Sequence, residues 1–436
     1  MNLVGWHNIL TPMRSNNSAD QATLRELNLS AVLRFIYNEA PLSRSQLAGR
    51  TGLNKSTVSS LVEDLLERRL VHETGINSAG MGRPATLIEI NPRAGAVVAV
   101  ELGVDFVSAS LVDFAGRILW RKLDDADPAA SEDKTIGQTM ALVDETIEVC
   151  RARDLRILGL SFSIPGTVDL EEGVLIFAPN LNWHNVPFRK LFSGHTGLKV
   201  FIENDANAAA VAEHLFGVAR HLRDFLFVFA GVGLGGGLFL NDKLYRGKGG
   251  YAGEIGHTPI IAEPFQRQCH CGNLGCWETY VNQFSILQRV ETRMQASDGR
   301  GLVSKLMSEQ HAPLSIAIIT QAAAGGDNDA LEALAEAGNA LGTGFAVLVN
   351  MFNPEKIVLG GPISAAGEFL MPAILKSVQQ HAMNEIVSQT EINLSAFGPD
   401  ASLIGAAAVV VDDILTNPSH VEKEVMLDKE LVPIAV

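Results

Sequence analysis

The chain has 436 residues and is poor in cysteine, in aromatic residues and in long apolar segments. Four cysteines are too few to staple a chain of this length, which excludes a disulfide scaffold. No run reaches the ~18 uncharged apolar residues that a membrane-spanning helix needs. The nearest candidate, residues 225–240, is rich in glycine and favours two strands joined by a turn. Since the amino terminus also lacks the apolar core of a secretory leader, we expect a cytoplasmic protein without a membrane partner.

Positive charge is scarce as well, and it is unevenly distributed. The whole chain has a formal net charge of −15, but residues 1–90 carry +1 and the remainder −16. Because an acidic surface repels nucleic acid, only the amino-terminal segment is suited to contact DNA. A hydrophobic content of 47% is ample for buried cores. At roughly 100–200 residues per domain, the length predicts two or three domains.

The first segment has the pattern of a helix-turn-helix. Apolar spacing predicts a helix over 24–39. Ser43 and Gln46 have the spacing of a capping box for a short helix, and Asn54 can cap a longer one that ends near Arg68. The longer helix has one apolar stripe, and its other face is small and polar, which suits the floor of a DNA groove. The candidate DNA-binding residues here are Ser43, Asn54, Lys55, Ser56, Thr57, Ser59 and Ser60.

A β-hairpin follows and completes a winged helix. The runs 70–73 and 85–90 read as strands, and the loop 75–84 joins them. Gly82 and Arg83 precede a proline at the loop tip, where an arginine on an extended backbone suits the negative potential of a narrow minor groove. We therefore add Gly82 and Arg83 to the DNA-binding candidates. The alternative is a generic helical hairpin followed by a solvated loop.

The segment 91–95 marks a boundary, and an α/β body begins beyond it. Residues 97–119 read as strand, glycine turn and strand, followed by a polar turn. The same order recurs over 225–247, which suggests an internal duplication. Further strand-like runs alternate with helical stretches, as in α/β proteins. The polar tail over 417–436 is expected to be loosely attached.

Three of the four cysteines cluster with a histidine. His257, Cys269, Cys271 and Cys276 offer an imidazole and three thiolates in the pattern Cys-x-Cys-x4-Cys. Soft ligands of this kind select Zn²⁺, and four protein ligands complete a tetrahedron, so the sequence predicts one structural zinc per chain. The alternative is three unrelated buried thiols.

Acidic and amide residues gather at a predicted strand end. Glu203, Asn204 and Asp205 precede an alanine-rich helix, and ligands of open α/β sheets bind at such ends. Asp205 can accept or hold a hydroxyl proton, or it can simply cap the helix. Glu254 and Glu278 flank the zinc ligands, and such a set suits a hydroxyl-rich ligand such as a sugar. The glycine-rich loop 231–237 can cradle phosphate, although tight-turn geometry explains it equally well.

Together these motifs resemble the ROK family of repressors and sugar kinases, over nearly the whole chain. The segments that carry the resemblance are SIPGTVD (163–169), APNLNW (178–183), ENDANAAA, GVGLGGG, EIGH and CHCGNLGCWE. The resemblance implies a winged helix-turn-helix over 1–91, followed by a two-lobed, actin-like (ribonuclease H-like) sugar-kinase fold. Lobe I then comprises 92–204 and 401–416, and lobe II comprises 205–400. The sugar-binding residues that it implies are Gly166, Asn180, Asn204, Asp205, Glu254, His257 and Glu278, with His257 serving the zinc through its other ring nitrogen.

Departures from the kinase pattern predict a regulator. Kinases of the family open lobe I with Asp-x-Gly-Gly-Thr, whereas the corresponding turn of this chain, Glu101 to Asp105, reads Glu-Leu-Gly-Val-Asp. Val104 and Asp105 thus replace a glycine and a threonine, and Val232 replaces a threonine in the second loop. A carboxylate facing a triphosphate is unfavourable, so ATP binding is expected to be lost and Asp205 to be a vestigial base. We expect a sugar-responsive repressor that binds an operator as a homodimer or homotetramer, with a monosaccharide or sugar phosphate as effector. The alternatives are an active sugar kinase with an added DNA-binding domain and a zinc-stabilised scaffold without ligand.

Overall fold

The computed structural model describes residues 17–77, 85–261, 266–296 and 301–423. Contacts divide the chain into two compact units, residues 1–91 with 413–436 and residues 92–412. Gly82 and Arg83, the candidates at the tip of the wing, lie outside the described residues. Among the described helices, none combines the length and the apolar character that crossing a membrane requires.

The described part of the first unit is a winged helix. Its elements are α1 (Asn17–Glu39), β1 (Leu42–Ser43), α2 (Arg44–Thr51), α3 (Lys55–Glu67), β2 (Val71–Asn77) and β3 (Ala85–Ile90). The strands form one sheet in the order β1-β3-β2, with β3 antiparallel to both neighbours. The predicted helices and hairpin are confirmed. β1 was not predicted, because two residues are too few to show a strand period.

Local sequence signals explain where these helices begin. The Ser43 hydroxyl accepts a hydrogen bond from the Gln46 amide, and the Gln46 side chain accepts one from the Ser43 amide, which is the predicted capping box. Asn54 Oδ1 accepts from the Thr57 amide at 2.8 Å and caps α3. Between the helices, Gly52 adopts a φ of +72°, which favours glycine. The apolar stripe of α3 is buried, and it consists of Val58, Leu61, Val62 and Leu65.

The first part of the predicted tail is bound to this unit. A 3-10 helix covers Pro418–His420, and Arg68 at the end of α3 donates to the carbonyl of Val421, whose side chain is buried. Lys423 pairs with Glu67 at 2.7 Å. The expectation of a loosely attached tail is therefore wrong for residues 417–423, because a buried aliphatic side chain and several polar contacts hold them.

The second unit is an α/β body with three sheets in its described residues. Its elements are β4 (Ala96–Leu102), β5 (Phe106–Asp113), β6 (Ile118–Asp125), α4 (Glu132–Ala152), β7 (Ile157–Ile164), β8 (Thr167–Asp169), β9 (Val174–Ala178), β10 (Trp183–Val186), α5 (Phe188–Thr196), β11 (Val200–Asn204), α6 (Asp205–Leu215), β12 (Phe225–Ala230), β13 (Leu234–Leu240), β14 (Lys243–Leu244), α7 (Glu278–Val281), α8 (Gln283–Ala296), α9 (Leu302–Gln310), α10 (Ile316–Ala324), α11 (Asn328–Phe352), β15 (Lys356–Gly360), α12 (Gly367–His381), α13 (Asn384–Val387), β16 (Glu391–Leu394) and α14 (Ala401–Thr416). The last four residues of α14 belong to the first unit.

The two large sheets repeat one topology. The first has the order β11-β7-β4-β5-β6, and the second has β16-β15-β12-β13-β14. In each, an antiparallel hairpin and a third antiparallel strand lie on one side, and two parallel strands lie on the other. β8, β9 and β10 form a small separate sheet. The recurring hairpin pattern in the sequence is thus matched by a repeated fold.

Helix α6 packs unusually closely against its neighbours. A Cβ at Gly237 in β13 would overlap the Ala210 side chain, and one at Gly405 in α14 would overlap the backbone of Ala208. The alanine-rich sequence of α6 therefore serves close packing, since larger side chains would separate these elements. This packing fixes the amino-terminal end of α6, where Asp205 lies.

Candidate functional site

Asn204 and Asp205 lie where β11 passes into α6. Asn204 is the N-cap of the helix, because its Oδ1 accepts from the Asn207 amide at 3.1 Å. Its Nδ2 donates to the Gly166 carbonyl at 3.0 Å. Asp205 is the first residue of the helix itself, and its Oδ1 accepts from the Ala206 amide at 2.8 Å. The alternative that made Asp205 the helix cap is therefore wrong.

The environment of Asp205 raises its affinity for a proton. Burial raises the pKa of its carboxyl to about 7, with a further contribution from the Glu254 carboxylate. The hydrogen bonds from Ala206 and Asn204 act in the opposite direction and are outweighed. Such a group can hold or accept a hydroxyl proton near neutral pH.

Gly166 contributes backbone to this corner. It adopts a φ of +111°, and a Cβ there would overlap the Phe177 carbonyl. Glycine therefore lets the chain turn next to β9 while presenting its carbonyl to Asn204. The observed contact of Gly166 is thus with Asn204, a second predicted sugar-binding residue.

The remaining predicted sugar-binding residues form a second group. His257 Nε2 lies 3.7 Å from Glu254 Oε2, and His257 Nδ1 lies 3.6 Å from Glu278 Oε1. An ideal Cβ at Gly233 would be 3.6 Å from Glu278 Oε2 and 3.9 Å from Asn180 Nδ2, so both side chains meet beside this glycine. The Glu254 carboxylate raises the pKa of Asp205, so this second group lies near the first group at Asn204 and Asp205. Carboxylates and amides so arranged can bind several hydroxyl groups.

The predicted zinc ligands come together. One ligand atom from each of His257, Cys269, Cys271 and Cys276 lies within 4.8 Å of all the others. The Cys271 and Cys276 sulfurs are 3.7 Å apart, and Cys269 Sγ is 3.7 Å from His257 Nδ1. Zinc–sulfur bonds of about 2.3 Å put tetrahedral sulfurs about 3.8 Å apart, so the spacing fits a metal ion. His257 thus turns Nδ1 to the thiols and Nε2 to Glu254.

Glu278 lies between this cluster and the glycine turn at Gly233. Its Oε1 accepts from Cys269 Sγ at 2.9 Å, while its other oxygen faces Gly233. Burial and the neighbouring Glu278 raise the pKa of the Cys269 thiol. A cation would hold this sulfur as a thiolate and would remove the proton that it donates to Glu278. Metal binding would then fix His257 directly and Glu278 through Cys276, which lies two residues before it in the chain.

The β4–β5 turn, which departs from the phosphate turn of the family's kinases, has acidic surroundings. Glu101 is buried at the end of β4, and burial raises the pKa of its carboxyl to about 8. Asp205 and Asp400 raise it further, while Ser402 and Arg121 act in the opposite direction. Asp105 in the turn is exposed. Several carboxyl groups and one arginine thus lie around the end of β4, next to this turn.

The glycine-rich loop 231–237 has two parts with different roles. Gly231 and Gly233 form the β12–β13 turn, in which the Gly231 amide donates to the Gly233 carbonyl at 2.9 Å. The last three glycines belong to β13. An added Cβ at Gly235 would be 3.0 Å from the Ala206 Cβ, and Gly236 is similarly close to Ile255. Close packing therefore explains these three glycines without any phosphate.

The predicted DNA-binding residues of the first unit occupy two environments. Ser43 is buried at 6% exposure and its hydroxyl is used in the capping box, so it is a structural residue and not part of an exposed face. Thr57 is half-buried. The others are exposed at the start of α3 and on its solvent side: Asn54, Lys55, Ser56, Ser59 and Ser60.

Comparison with known proteins gives the same two units. The model of the ROK family matches residues 97–413, and that of the MarR family matches residues 30–76. The chain belongs to the ROK family. It is 30% identical to the xylose repressor of Bacillus subtilis, over 91% of this chain and 98% of that protein. It is 28% identical to the transcriptional dual regulator NagC of Escherichia coli, over 92% and 96%.

Solved structures of ROK proteins agree with this assignment. A ROK family transcriptional regulator, a homologue of the Escherichia coli Mlc protein, has a TM-score of 0.78 at 28% identity and covers 91% of this chain and 99% of its own. A ROK family glucokinase from Streptomyces griseus, in complex with glucose and AMPPNP, has a TM-score of 0.64 at 28% identity and covers 72% and 99%.

Sequence reasoning missed one residue of this site, Arg246, which pairs with Glu203 at 2.6 Å. The sequence has no signal for it, because a single arginine in a polar loop is ordinary. The sequence marks Glu101 only as the start of a turn that departs from the kinase pattern, and the structure adds that Glu101 is buried and that Asp205 raises its pKa. A glutamate inside the otherwise apolar strand β4 is a signal for such an unusual environment, since buried charged residues are rare.

Proposed function

We propose that this protein is a cytoplasmic, DNA-binding transcriptional repressor of carbohydrate-metabolism genes that binds a sugar in its ROK unit and does not phosphorylate it. The observation that carries this proposal is coverage. Full-length repressors match about nine-tenths of the chain, whereas the glucokinase matches 72%. A kinase needs no MarR-type unit, and a repressor requires one.

The sugar site that we propose consists of Gly166, Asn180, Asn204, Asp205, Glu254, His257 and Glu278. Asp205, Glu254 and Glu278 offer acceptors for hydroxyl protons, and Asn180 and Asn204 offer amides. One zinc ion on His257, Cys269, Cys271 and Cys276 would serve structure, because four protein ligands leave no open position for a catalytic water. Its contribution is to hold His257 and Glu278 in place.

Loss of phosphoryl transfer is supported by the charge around the β4–β5 turn. Asp205 and Asp400 both act on Glu101 there, and Arg121 already pairs with Asp400 at 2.6 Å. Kinases stabilise the phosphates of ATP with cations and backbone amides, so this environment opposes nucleotide binding. The position of Val104 and Asp105 in the turn itself adds to this effect.

The first experiment measures sugar and operator binding together. D-xylose, D-glucose and N-acetyl-D-glucosamine are offered separately in a thermal-shift assay, since a ligand of the folded state raises the unfolding midpoint. The sugar that binds is then added to the protein on its operator, and we expect the operator affinity to change. Binding of no sugar in a wider monosaccharide panel would contradict the proposal and favour the zinc-stabilised scaffold.

An active sugar kinase is the second candidate, and the position of Asp205 favours it. A carboxyl with a pKa of about 7 at a strand end is a competent general base. A coupled assay of ADP release on the wild-type protein decides between the two. Sugar-dependent ADP release at about 1–100 per second, the usual range of kinases, would favour the kinase.

The DNA interface that we propose combines the exposed residues of α3 with Arg83 in the wing, on a pseudo-palindromic operator read by a homodimer or homotetramer. For Arg83→Ala, we expect operator affinity to fall by about 1–3 kcal/mol at fixed salt, as for a good groove contact. Ser43→Ala is the control that separates folding from binding. It should cost about 0.5–2 kcal/mol of stability through the lost cap while the folded protein keeps its operator affinity.

A further inference from the structure

A buried carboxylate joins the end of β11 to a loop from the second sheet. Glu203 is 2% exposed, and its Oε2 lies 2.6 Å from Arg246 Nη1. Its Oε1 accepts from the Asn204 amide at 3.0 Å and faces the Asn207 side chain at 3.4 Å. One carboxylate therefore contacts the first turn of α6, the cap residue Asn204 and an arginine that is distant in sequence.

Arg246 begins the loop that leads to Glu254. The Ala252 amide donates to the Arg246 carbonyl at 3.2 Å, which closes residues 246–252 into a compact loop. The next residue, Gly253, accepts from the Gly236 amide at 2.8 Å. Glu254 follows directly, so the loop leads into the residue whose carboxylate acts on Asp205.

The loop also approaches the small sheet. Gly250 has a φ of +81°, and an ideal Cβ there would be 3.5 Å from the Val168 carbonyl of β8. The loop therefore spans from β14 of the second sheet towards β8 and β11, and the Arg246 guanidinium supplies a charged contact at its start. Breaking that contact would leave the Glu203 carboxylate buried without its cation, which is unfavourable.

We propose that the Glu203–Arg246 ion pair is a latch that holds the loop 246–252 against β11 and so positions Glu254 opposite Asn204 and Asp205 for sugar binding. Arg246 and Glu203 are thus positioning residues of the sugar site. This inference rests on the proposed sugar binding. It predicts that the latch preorganises the site, so its loss weakens sugar binding without removing any residue that contacts the sugar.

Hydrogen exchange of the sugar-free protein tests the latch without reference to any ligand. In Arg246→Gln, we expect the amides of 246–254 to exchange faster than in the wild type, while those of β4 and β7 are unchanged. Arg117→Gln is the matched control, because Arg117 pairs with the buried Asp113 at 2.9 Å, at the end of β5 opposite the turn 103–105. Unchanged exchange over 246–254 in Arg246→Gln would overturn the latch.

Calorimetry with whichever of D-xylose, D-glucose or N-acetyl-D-glucosamine binds the wild type tests its role in binding. We expect Kd to rise about tenfold in Arg246→Gln and less in Arg246→Lys. A site that is not preorganised must be ordered when the sugar binds, and this ordering lowers the affinity. Glu203→Gln combined with Arg246→Gln should weaken binding no more than either change alone. A wild-type protein that binds sugar and an Arg246→Gln variant with the same Kd would overturn the positioning role, whereas a wild type that binds none contradicts the proposed function instead.

Discussion

The two large sheets of the ROK unit have the same topology, but the turns of their opening hairpins differ in chemistry. The first turn, 103–105, follows the buried Glu101 and has Asp400 and Asp205 nearby. The second turn, 231–233, lies beside Asn180 and Glu278, and Glu278 also contacts Cys269 of the candidate metal cluster. A repeated backbone thus places two equivalent turns, and the side chains around each turn decide what it can bind. On the proposed function, the side chains beside the second turn suit a sugar, and those beside the first turn oppose a phosphate.

The largest effect is expected from removing the zinc ion that we propose beside the second turn. Cys276→Ser should release the metal, lower the unfolding midpoint and abolish sugar binding, because apparent zinc binding energies reach about 10–16 kcal/mol in small zinc domains. Elemental analysis and thermal unfolding check this. Cys150→Ser is the control, since Cys150 is buried in α4 and is not part of the cluster. Full zinc occupancy in Cys276→Ser would mean that the ligand set is wrong.

A substitution at Asp205 tests the proposed sugar site. In Asp205→Asn, sugar affinity should fall tenfold or more, because hydrogen bonds to a charged group contribute about 1.5–3 kcal/mol. Operator affinity in the absence of sugar should stay nearly unchanged. Because the pKa of Asp205 is about 7, wild-type sugar affinity should decrease as the pH falls through 7 and the carboxylate is protonated. Calorimetry with the sugar at several pH values measures the effect of the substitution and the effect of pH on sugar affinity. Equal sugar affinities in Asp205→Asn and the wild type would contradict the role that we propose for Asp205.

Two glycines of the segment 231–237 test whether close packing explains the glycines of β13. Gly237→Ala should destabilise the protein by about 1–3 kcal/mol, as overpacking does, because the new methyl would overlap Ala210. Gly233→Ala meets only ordinary contacts, the nearest being Glu278 Oε2 at 3.6 Å, and should leave stability nearly unchanged. The urea unfolding midpoints of Gly237→Ala and Gly233→Ala measure this difference in stability. Equal midpoints would contradict the packing explanation of the glycines in β13.

Glu101 gives the first turn a pH-dependent stability. The pKa of Glu101 in the folded protein is about 8, above the ordinary value of 4.5. Between these two pH values the folded protein therefore holds a proton that the unfolded chain has already released. Stability from this group is therefore present at low pH and is lost as the pH rises through 8. Glu101→Gln should flatten the dependence, by about 1.4 kcal/mol for each pKa unit removed. The exposed Glu148→Gln should not, and parallel pH profiles for Glu101→Gln and wild type would contradict this.

The smallest effect is expected from restoring the kinase sequence of the first turn. Val104→Gly combined with Asp105→Thr should leave stability and sugar affinity nearly unchanged, because Asp105 is exposed and Val104 is only half-buried. We expect no sugar-dependent ADP release, since Glu101 and Asp400 remain. The coupled assay checks this, and recovered ADP release would show that the turn sequence alone had silenced the kinase.

Local patterns in the sequence were enough to predict most elements of the winged helix and the clustering of His257 with three cysteines. Ser43 with Gln46, and Asn54 before its helix, carry local capping signals, and local hydrogen bonds need no distant partner to be read. The cysteines are likewise close in sequence, so their spacing alone indicated a cluster with His257. The recurring hairpin pattern of the ROK unit was visible for the same reason, because strand periodicity and glycine turns are local.

Only the tertiary structure decided the roles that depend on distant contacts. It buried Ser43, assigned the helix cap to Asn204 and gave three glycines of β13 a packing role against α6. It also brought Arg246 to Glu203 and attached residues 417–423 to the winged helix. A carboxyl such as Glu101 acquires its high pKa only when folding removes water and brings other carboxylates near, and neither effect is written in the spacing of residues along the chain.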